Sequence, residues 1–225
     1  MGSGRQEISL LCLDMAGTTV DDGDAVMESF AAALVEGGMG GEAYERAMEH
    51  AAATMGQSKI EVFNAIVGDV SQAQAANATF ERSYAAVVAH GGVVEMPGAA
   101  ELFRWCRDRS IAVCLTTGFA PPTRQAIVDR LGWHDLVDLA LSPADAGRGR
   151  PYPDMVLTAV IELAIDDVRA VAVAGDTTND LWSGHRAGAS IVAGVLTGAH
   201  DQVQLAAAPH THLLSSVTDL PPLLR

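Results

Sequence analysis

Five short runs of apolar and β-branched residues recur along the chain: ISLLCLD (8 to 14), IAVCLTT (111 to 117), VDLALS (137 to 142), AVAVAGD (170 to 176) and SIVAGVL (190 to 196). Near-continuous apolar character of this kind is the pattern of strands covered on both faces. Patterns of helical period fill the intervals and predict helices over about 98–109, 121–131, 153–165 and 179–187, with Gly, Pro or Asp at most junctions. Strand and helix in alternation predict an α/β protein on a doubly wound, mostly parallel sheet.

One interval breaks the rhythm. More than 90 residues separate Asp14 from Ile111, far beyond an ordinary crossover, and from Ala25 to His90 they read as Ala-rich amphipathic helices. An inserted all-helical cap is expected there, spanning 23–91, with a core domain formed by 1–22 and 92–225. EMPGAAELF (95 to 103) supplies a Pro-Gly turn for the return to the sheet. No internal repeat is present, and AAPHTH (207 to 212) reads as a polar loop whose His210 and His212 lack a third metal ligand nearby.

Composition narrows the partners. With 225 residues, 49% of them apolar, the chain fills one core with a smaller lobe. A formal charge of -14 offers no footprint for nucleic acid or anionic lipid, both of which reward clustered Lys and Arg. Cys12, Cys106 and Cys114 are odd in number and without metal-like spacing, which suits a reducing cytosol. No apolar stretch approaches the roughly 20 residues of a membrane span. The opening MGSGRQE lacks the basic start and apolar stretch of a signal peptide and reads as an appended segment, so a cytoplasmic location is expected.

Functional groups of a doubly wound sheet gather beyond the carboxyl ends of its strands. Three such ends are polar or acidic: DMAGTTV with Asp14, Thr18 and Thr19; TTG with Thr116, Thr117 and Gly118; GDTTND with Asp176 and Asp180. Asp14, Asp176 and Asp180 in one crevice would repel one another, and a hard divalent cation, Mg²⁺ by its taste for oxygen, relieves that. Thr117 and the Gly118 main chain would then hold phosphoryl oxygens, faced by Arg150 of GRGRPYP (147 to 153). Lys59, in MGQSKIEVF (55 to 63), is the single lysine among 14 basic residues. It is either a leftover surface charge or a position that requires a primary amine.

These motifs, in this order, resemble the haloacid dehalogenase superfamily, and within it the phosphonoacetaldehyde hydrolases (phosphonatases) and phosphonatase-like hydrolases. The phosphonatase pattern D-x-A-G-T-T-V is matched by Asp14 to Val20, G-R-P-Y-P by Gly149 to Pro153, and M-G-x-x-K by Met55 to Lys59. The resemblance implies a Rossmann-like core with a helical cap and a homodimer formed through the caps. It implies Asp14 as nucleophile and Lys59 as Schiff-base amine, with Thr18, Thr117, Gly118, Arg150, Met55 and Gly56 binding a small phosphonate. Mg²⁺ would be held by Asp14, Ala16 (which has only its main chain to offer), Asp176 and Asp180.

Ala16 carries a physical argument of its own. Phosphatases of the superfamily place a second Asp two residues after the nucleophile, where it protonates the departing alkoxide. Alanine cannot, and a substrate whose leaving atom is carbon needs another device. A lysine imine β to phosphorus draws in the electrons of the breaking C–P bond; a guanidinium, always protonated, cannot form one. The expected substrate is thus a 2-oxoalkylphosphonate. Val62, Phe119 and Met15 stand where phosphonatases commonly have His, Tyr and Trp, which leaves the carbon skeleton open. Rival readings are a Mg²⁺-dependent phosphomonoesterase or phosphoryl transferase, a dehalogenase, and a non-catalytic binding or regulatory protein on the same scaffold. Met27, Met39 and Met48 are expected in cap packing, His185 at the surface, and Glu61 and Arg46 are the candidates for tuning Lys59.

Overall fold

A computed structural model describes residues 7–225; apart from Glu7, the opening segment expected to be an appended one lies outside them. The strands are β1 (Leu10–Asp14), β2 (Val20–Asp21), β3 (Val94–Glu95), β4 (Ala112–Thr116), β5 (Leu139–Leu141), β6 (Val171–Gly175), β7 (Ile191–Val195) and β8 (His212–Leu214). The helices are α1 (Ala25–Glu36), α2 (Gly41–Ala53), α3 (Lys59–Val67), α4 (Val70–Ala89), α5 (Ala99–Arg107), α6 (Pro121–Leu131), α7 (Pro143–Ala146), α8 (Asp154–Glu162), α9 (Thr178–Ala187) and α10 (Gln202–Ala206). Six strands form a sheet of order β5-β4-β1-β6-β7-β8, every pairing of which is parallel.

The alternation of side chains along each strand divides the core into two layers. Leu11, Leu13, Val113 and Leu115 turn to one face with Leu102 and Phe103 of α5 and Ile127 of α6. Leu10, Cys12, Cys114 and Val173 turn to the other with Met155, Val156 and Ala159 of α8. Burial of both faces explains why these strands read as unbroken apolar runs. Cys12 and Cys114 face each other across β1 and β4 as free, buried thiols.

Helices α1 to α4 occupy the long interval, between β2 and β3. Those two short strands form an antiparallel ribbon, Val20 opposite Glu95 and Asp21 opposite Val94, which the sequence pattern does not predict. It sets the outgoing and returning chains side by side, so the helical insert leaves the sheet undisturbed. The sequence pattern also misses β8: His212, expected in a polar loop, begins a strand that pairs with β7. Helix α8 is shorter than the predicted 153–165, ending in the turn at Leu163. His185 is exposed as expected. No helix among the described residues is long and apolar enough to cross a membrane.

The cap's interior is aromatic. Phe30, Phe63, Phe80 and Tyr84 are buried in mutual contact, and Phe119 from the loop after β4 joins them, 4.4 Å from Tyr84 between ring centres. Cap and core are also joined by polar contacts. Ala120 has no side chain with which to cap α6, and Glu81 of α4 does it instead, accepting from the Ala120 NH at 3.1 Å and from the Thr123 hydroxyl.

Candidate active site

Asp14 is the last residue of β1, paired in register with Thr116 of β4. Asp176 follows the last residue of β6, and Asp180 sits in the first turn of α9. Parallel pairing with common direction brings these chain ends to one edge of the sheet. Asp14, Asp176 and Asp180 each present an oxygen such that all three lie within 4.8 Å of one another, and all three are buried.

Each carboxylate is held separately. Arg150 Nη1 donates to Asp14 Oδ1 at 2.5 Å and also to Asp180 Oδ1. The other Asp180 oxygen accepts from the Thr177 NH at 3.1 Å and from the Thr177 hydroxyl, closing a capping box that opens α9. Asp176 accepts from the Thr18 hydroxyl at 3.1 Å and from the Ala199 NH at 2.7 Å. Thr18 was expected on the phosphoryl group; its hydroxyl is committed to Asp176 instead, because the turn after β1 folds it back over the end of β6.

Burial leaves this cluster short of positive charge. It pushes the Asp14 carboxyl well above the usual carboxylate range; Arg150 opposes the rise, and Asp180 and Asp176 add to it. Burial, then Asp180, lifts Asp176 to about 6. Burial works against the Arg150 charge too, but Asp14 and Asp180 outweigh it and raise the guanidinium's pKa. Three hard oxygen donors, two of them reluctant to ionise, make a donor set that suits a small divalent cation. Ala16 and Asp176 together line a cavity of about 510 Å³ that opens between core and cap.

The loop before α3 lies directly on this strand edge. Asn179 Nδ2 of α9 donates to the Met55 carbonyl at 2.6 Å, and the Gly118 carbonyl accepts from the Lys59 NH at 3.3 Å. Gly56 has φ +85°, and a Cβ there would stand 2.5 Å from Thr177 Oγ1, so backbone shape and close approach both demand glycine. Gly118 is constrained by close approach alone, since a Cβ would collide with the Gln57 carbonyl. Thr117 is buried beside it, its NH donating to Leu141 O at 3.0 Å and its hydroxyl accepting from the Phe119 NH at 3.3 Å.

Lys59 opens α3 and points inward, only 6% exposed. Its Nζ lies 5.3 Å from the centre of the Phe119 ring, 5.6 Å from Phe30 and 5.9 Å from Phe80. Burial, helped by Arg150, pulls its pKa from 10.5 down to about 8, against the pull of Asp14, Asp22 and Glu81. Glu61 and Arg46 are not among the charges that act on it: Glu61 is exposed, and Arg46 pairs with Glu42 on the surface of α2. Asp22 and Glu81 take that place. The sequence carries little sign of either, since both read as ordinary acidic residues of an amphipathic cap.

A sheet edge with this fold and this set of buried groups defines a class, and residues 8–188 match the family model of the haloacid dehalogenase-like hydrolases. The chain belongs to that family. Among curated relatives, the phosphonoacetaldehyde hydrolase of Bordetella pertussis is 27% identical over 257 aligned positions, covering 96% of this chain and 91% of the relative. The probable phosphatase IndB of Dickeya dadantii is 28% identical, covering 88% of this chain and 86% of its own. Of solved structures, a phosphonoacetaldehyde hydrolase like protein from Oleispira antarctica superposes with a TM-score of 0.77 at 23% identity, covering 99% of this chain and 92% of that one.

Proposed function

We propose that this hydrolase cleaves the C–P bond of a 2-oxoalkylphosphonate through a Lys59 imine and an Asp14 aspartyl phosphate. The observation that carries the reading is the placement of Lys59: the chain's single lysine is buried under the cap, in the electrostatic reach of Asp14 and Arg150, with a pKa of about 8. At pH 7 about one such amine in ten is neutral, against roughly one in three thousand for an ordinary lysine.

The Lys59 amine condenses with the substrate carbonyl, losing water and leaving a protonated imine. An Asp14 oxygen attacks phosphorus in line; as the new O–P bond forms, the C–P electron pair flows into the imine and an enamine departs. Arg150 stabilises the phosphoryl oxygens, with Thr117 and Gly118 lining the same edge. Mg²⁺ bound by Asp14, Asp176, Asp180 and the Ala16 main chain would offset the combined charge of carboxylate and phosphonate. Water cleaves the acyl phosphate to free Asp14 and inorganic phosphate, and hydrolysis of the enamine returns Lys59. The seating of Met55 and Gly56 on α9 supports a cap that shuts water out during imine formation.

The alternative is a phosphomonoesterase, which the Dickeya dadantii relative's name favours and Ala16 opposes. A panel of 2-oxoalkylphosphonates assayed for inorganic phosphate, with and without borohydride, separates the two. Phosphate release that borohydride arrests, with an adduct mapped to Lys59, is the expected result. Turnover of phosphate monoesters alone, with no adduct, would establish the alternative. Free buried cysteines accord with the reducing cytoplasm in which we place the enzyme.

A further inference from the structure

Imine chemistry needs more than an amine. The carbonyl oxygen must collect two protons before leaving as water, and Asp14 and Arg150, at the phosphoryl end, are committed elsewhere. Val62 and Phe119, both buried near Lys59, carry no exchangeable proton.

Two carboxyls that act on the amine are not used by the mechanism above, Asp22 and Glu81, and both Glu81 oxygens are already held by the Ala120 NH and the Thr123 hydroxyl. Asp22 follows β2 where the chain enters the cap, and it is partly buried. Tyr84, fully buried on α4, donates its phenolic hydrogen to Asp22 Oδ2 at 2.5 Å. The Tyr84 ring packs on Phe119 and Phe80, two of the three rings that surround Lys59 Nζ. Asp22 acts electrostatically on Lys59, and it lines the cavity of about 510 Å³ together with Ala16, Met55 and Asp176. Burial pushes its pKa above the ordinary aspartate value, against the opposing effects of Tyr84 and Lys59. The Tyr84 phenol is pushed up as well, first by burial and then by Asp22, and stays a donor.

We propose that Asp22, held in place by Tyr84, is the acid–base group for imine formation and imine hydrolysis at Lys59; the role rests on the Schiff-base reading above. As the amine attacks and the C–N bond forms, the carbonyl oxygen takes the Asp22 proton. The carboxylate then collects a proton from the new ammonium. It passes that proton to the hydroxyl, which leaves as water while the nitrogen lone pair closes the protonated imine. Carbonyl, amine and carboxylic acid thus become protonated imine, carboxylate and water. After C–P cleavage, a proton from solvent adds to the enamine carbon and regenerates the protonated imine. The Asp22 carboxylate draws a proton from the incoming water as the C–O bond forms, and the carbinolamine's hydroxyl proton passes to nitrogen as the C–N bond breaks, freeing the carbonyl product and neutral Lys59 with Asp22 restored as the acid. Tyr84 is a positioning residue, fixing one carboxyl oxygen.

Single-turnover borohydride trapping with a 2-oxoalkylphosphonate tests this. Asp22→Asn is expected to trap at least about 100-fold more slowly than the native chain. Tyr84→Phe is expected to lose roughly tenfold. Formate should restore part of the rate in Asp22→Ala and none in the native enzyme, an effect no structural role produces. Affinity for an alkylphosphonate without the carbonyl should stay within about threefold in Asp22→Asn. Trapping by Asp22→Asn at the native rate would overturn the proposal and leave the Schiff base standing. No adduct in the native enzyme would instead overturn the Schiff base. Lost alkylphosphonate affinity with no formate rescue would make Asp22 structural and end the proposal.

Discussion

The two ends of the site hold their charges by opposite means. At the sheet edge every carboxylate is hydrogen-bonded: Asp14 and Asp180 share Arg150, and Asp176 takes hydrogen bonds from Thr18 and the Ala199 NH. Inside the cap, Lys59 has no carboxylate within 4.0 Å among the described residues and is surrounded by the faces of Phe30, Phe80 and Phe119. On the proposed reading, the difference follows from what each group must do. Hydrogen bonds replace water where a charge has to persist, whereas apolar walls withhold it where a neutral amine has to be reachable.

Asp14→Asn breaks the sheet end most completely. An amide cannot form the acyl phosphate, so phosphate release should fall on the order of 10⁴-fold or more, read in a steady-state phosphate assay. Lys59→Arg breaks the cap end. It keeps a positive charge yet should cost at least about 10³-fold in C–P cleavage, because a guanidinium forms no imine. In the native enzyme, trapping at Lys59 should rise with pH towards about 8 and climb no further beyond it, the amine being protonated below its lowered pKa and neutral above it; an unshifted lysine would still be climbing at 10.

Ala16→Asp sharpens the contrast by giving the sheet end the acid it lacks. Hydrolysis of simple phosphate monoesters should rise by about 10²-fold while C–P cleavage gains nothing. No gain would mean that position 16 does not face a leaving group. Gly56→Ala attacks the joint between the ends. A side chain at φ +85° and 2.5 Å from Thr177 should prop the loop off α9 and lower kcat/KM by about tenfold, with smaller loss of imine trapping by excess substrate.

The smallest effect concerns stability. Lowering the Lys59 pKa from 10.5 to about 8 corresponds to roughly 3 kcal/mol against the folded state. That penalty is complete below pH 8, where the unfolded chain holds a proton that the folded chain resists, and it fades as pH climbs to 10.5. Lys59→Met should therefore raise Tm by several degrees at pH 7, with the gain shrinking in alkaline buffer. An equal gain at both ends of that range would show that packing, and not charge, is responsible.

Most of the sheet end was legible in the sequence, because parallel strands announce themselves as apolar runs and place their next residues at a common edge. Asp14, Thr117, Asp176 and Asp180 follow from that rule alone. Arg150 lies in a loop and was found by the chemistry it must serve; Lys59 was found by its rarity. The weak strands escaped: β2 and β3 have two residues each, and β8 hides in a histidine-containing segment that looks like a turn. Pairing partners far along the chain make those segments strands, and local pattern does not record partners.

Local periodicity and residue type, which depend only on neighbours along the chain, were enough to establish the α/β core, the inserted helices and the kinds of groups at the strand ends. Only tertiary structure decided that Thr18 serves Asp176, that Glu81 caps α6 across the cap boundary, and that Asp22 and Tyr84 meet across 62 positions, Tyr84 against the rings that surround the lysine. Burial and electrostatic coupling depend on distance in space. Whether one amine is an exposed surface charge or a buried one was therefore settled by what the fold packed around it.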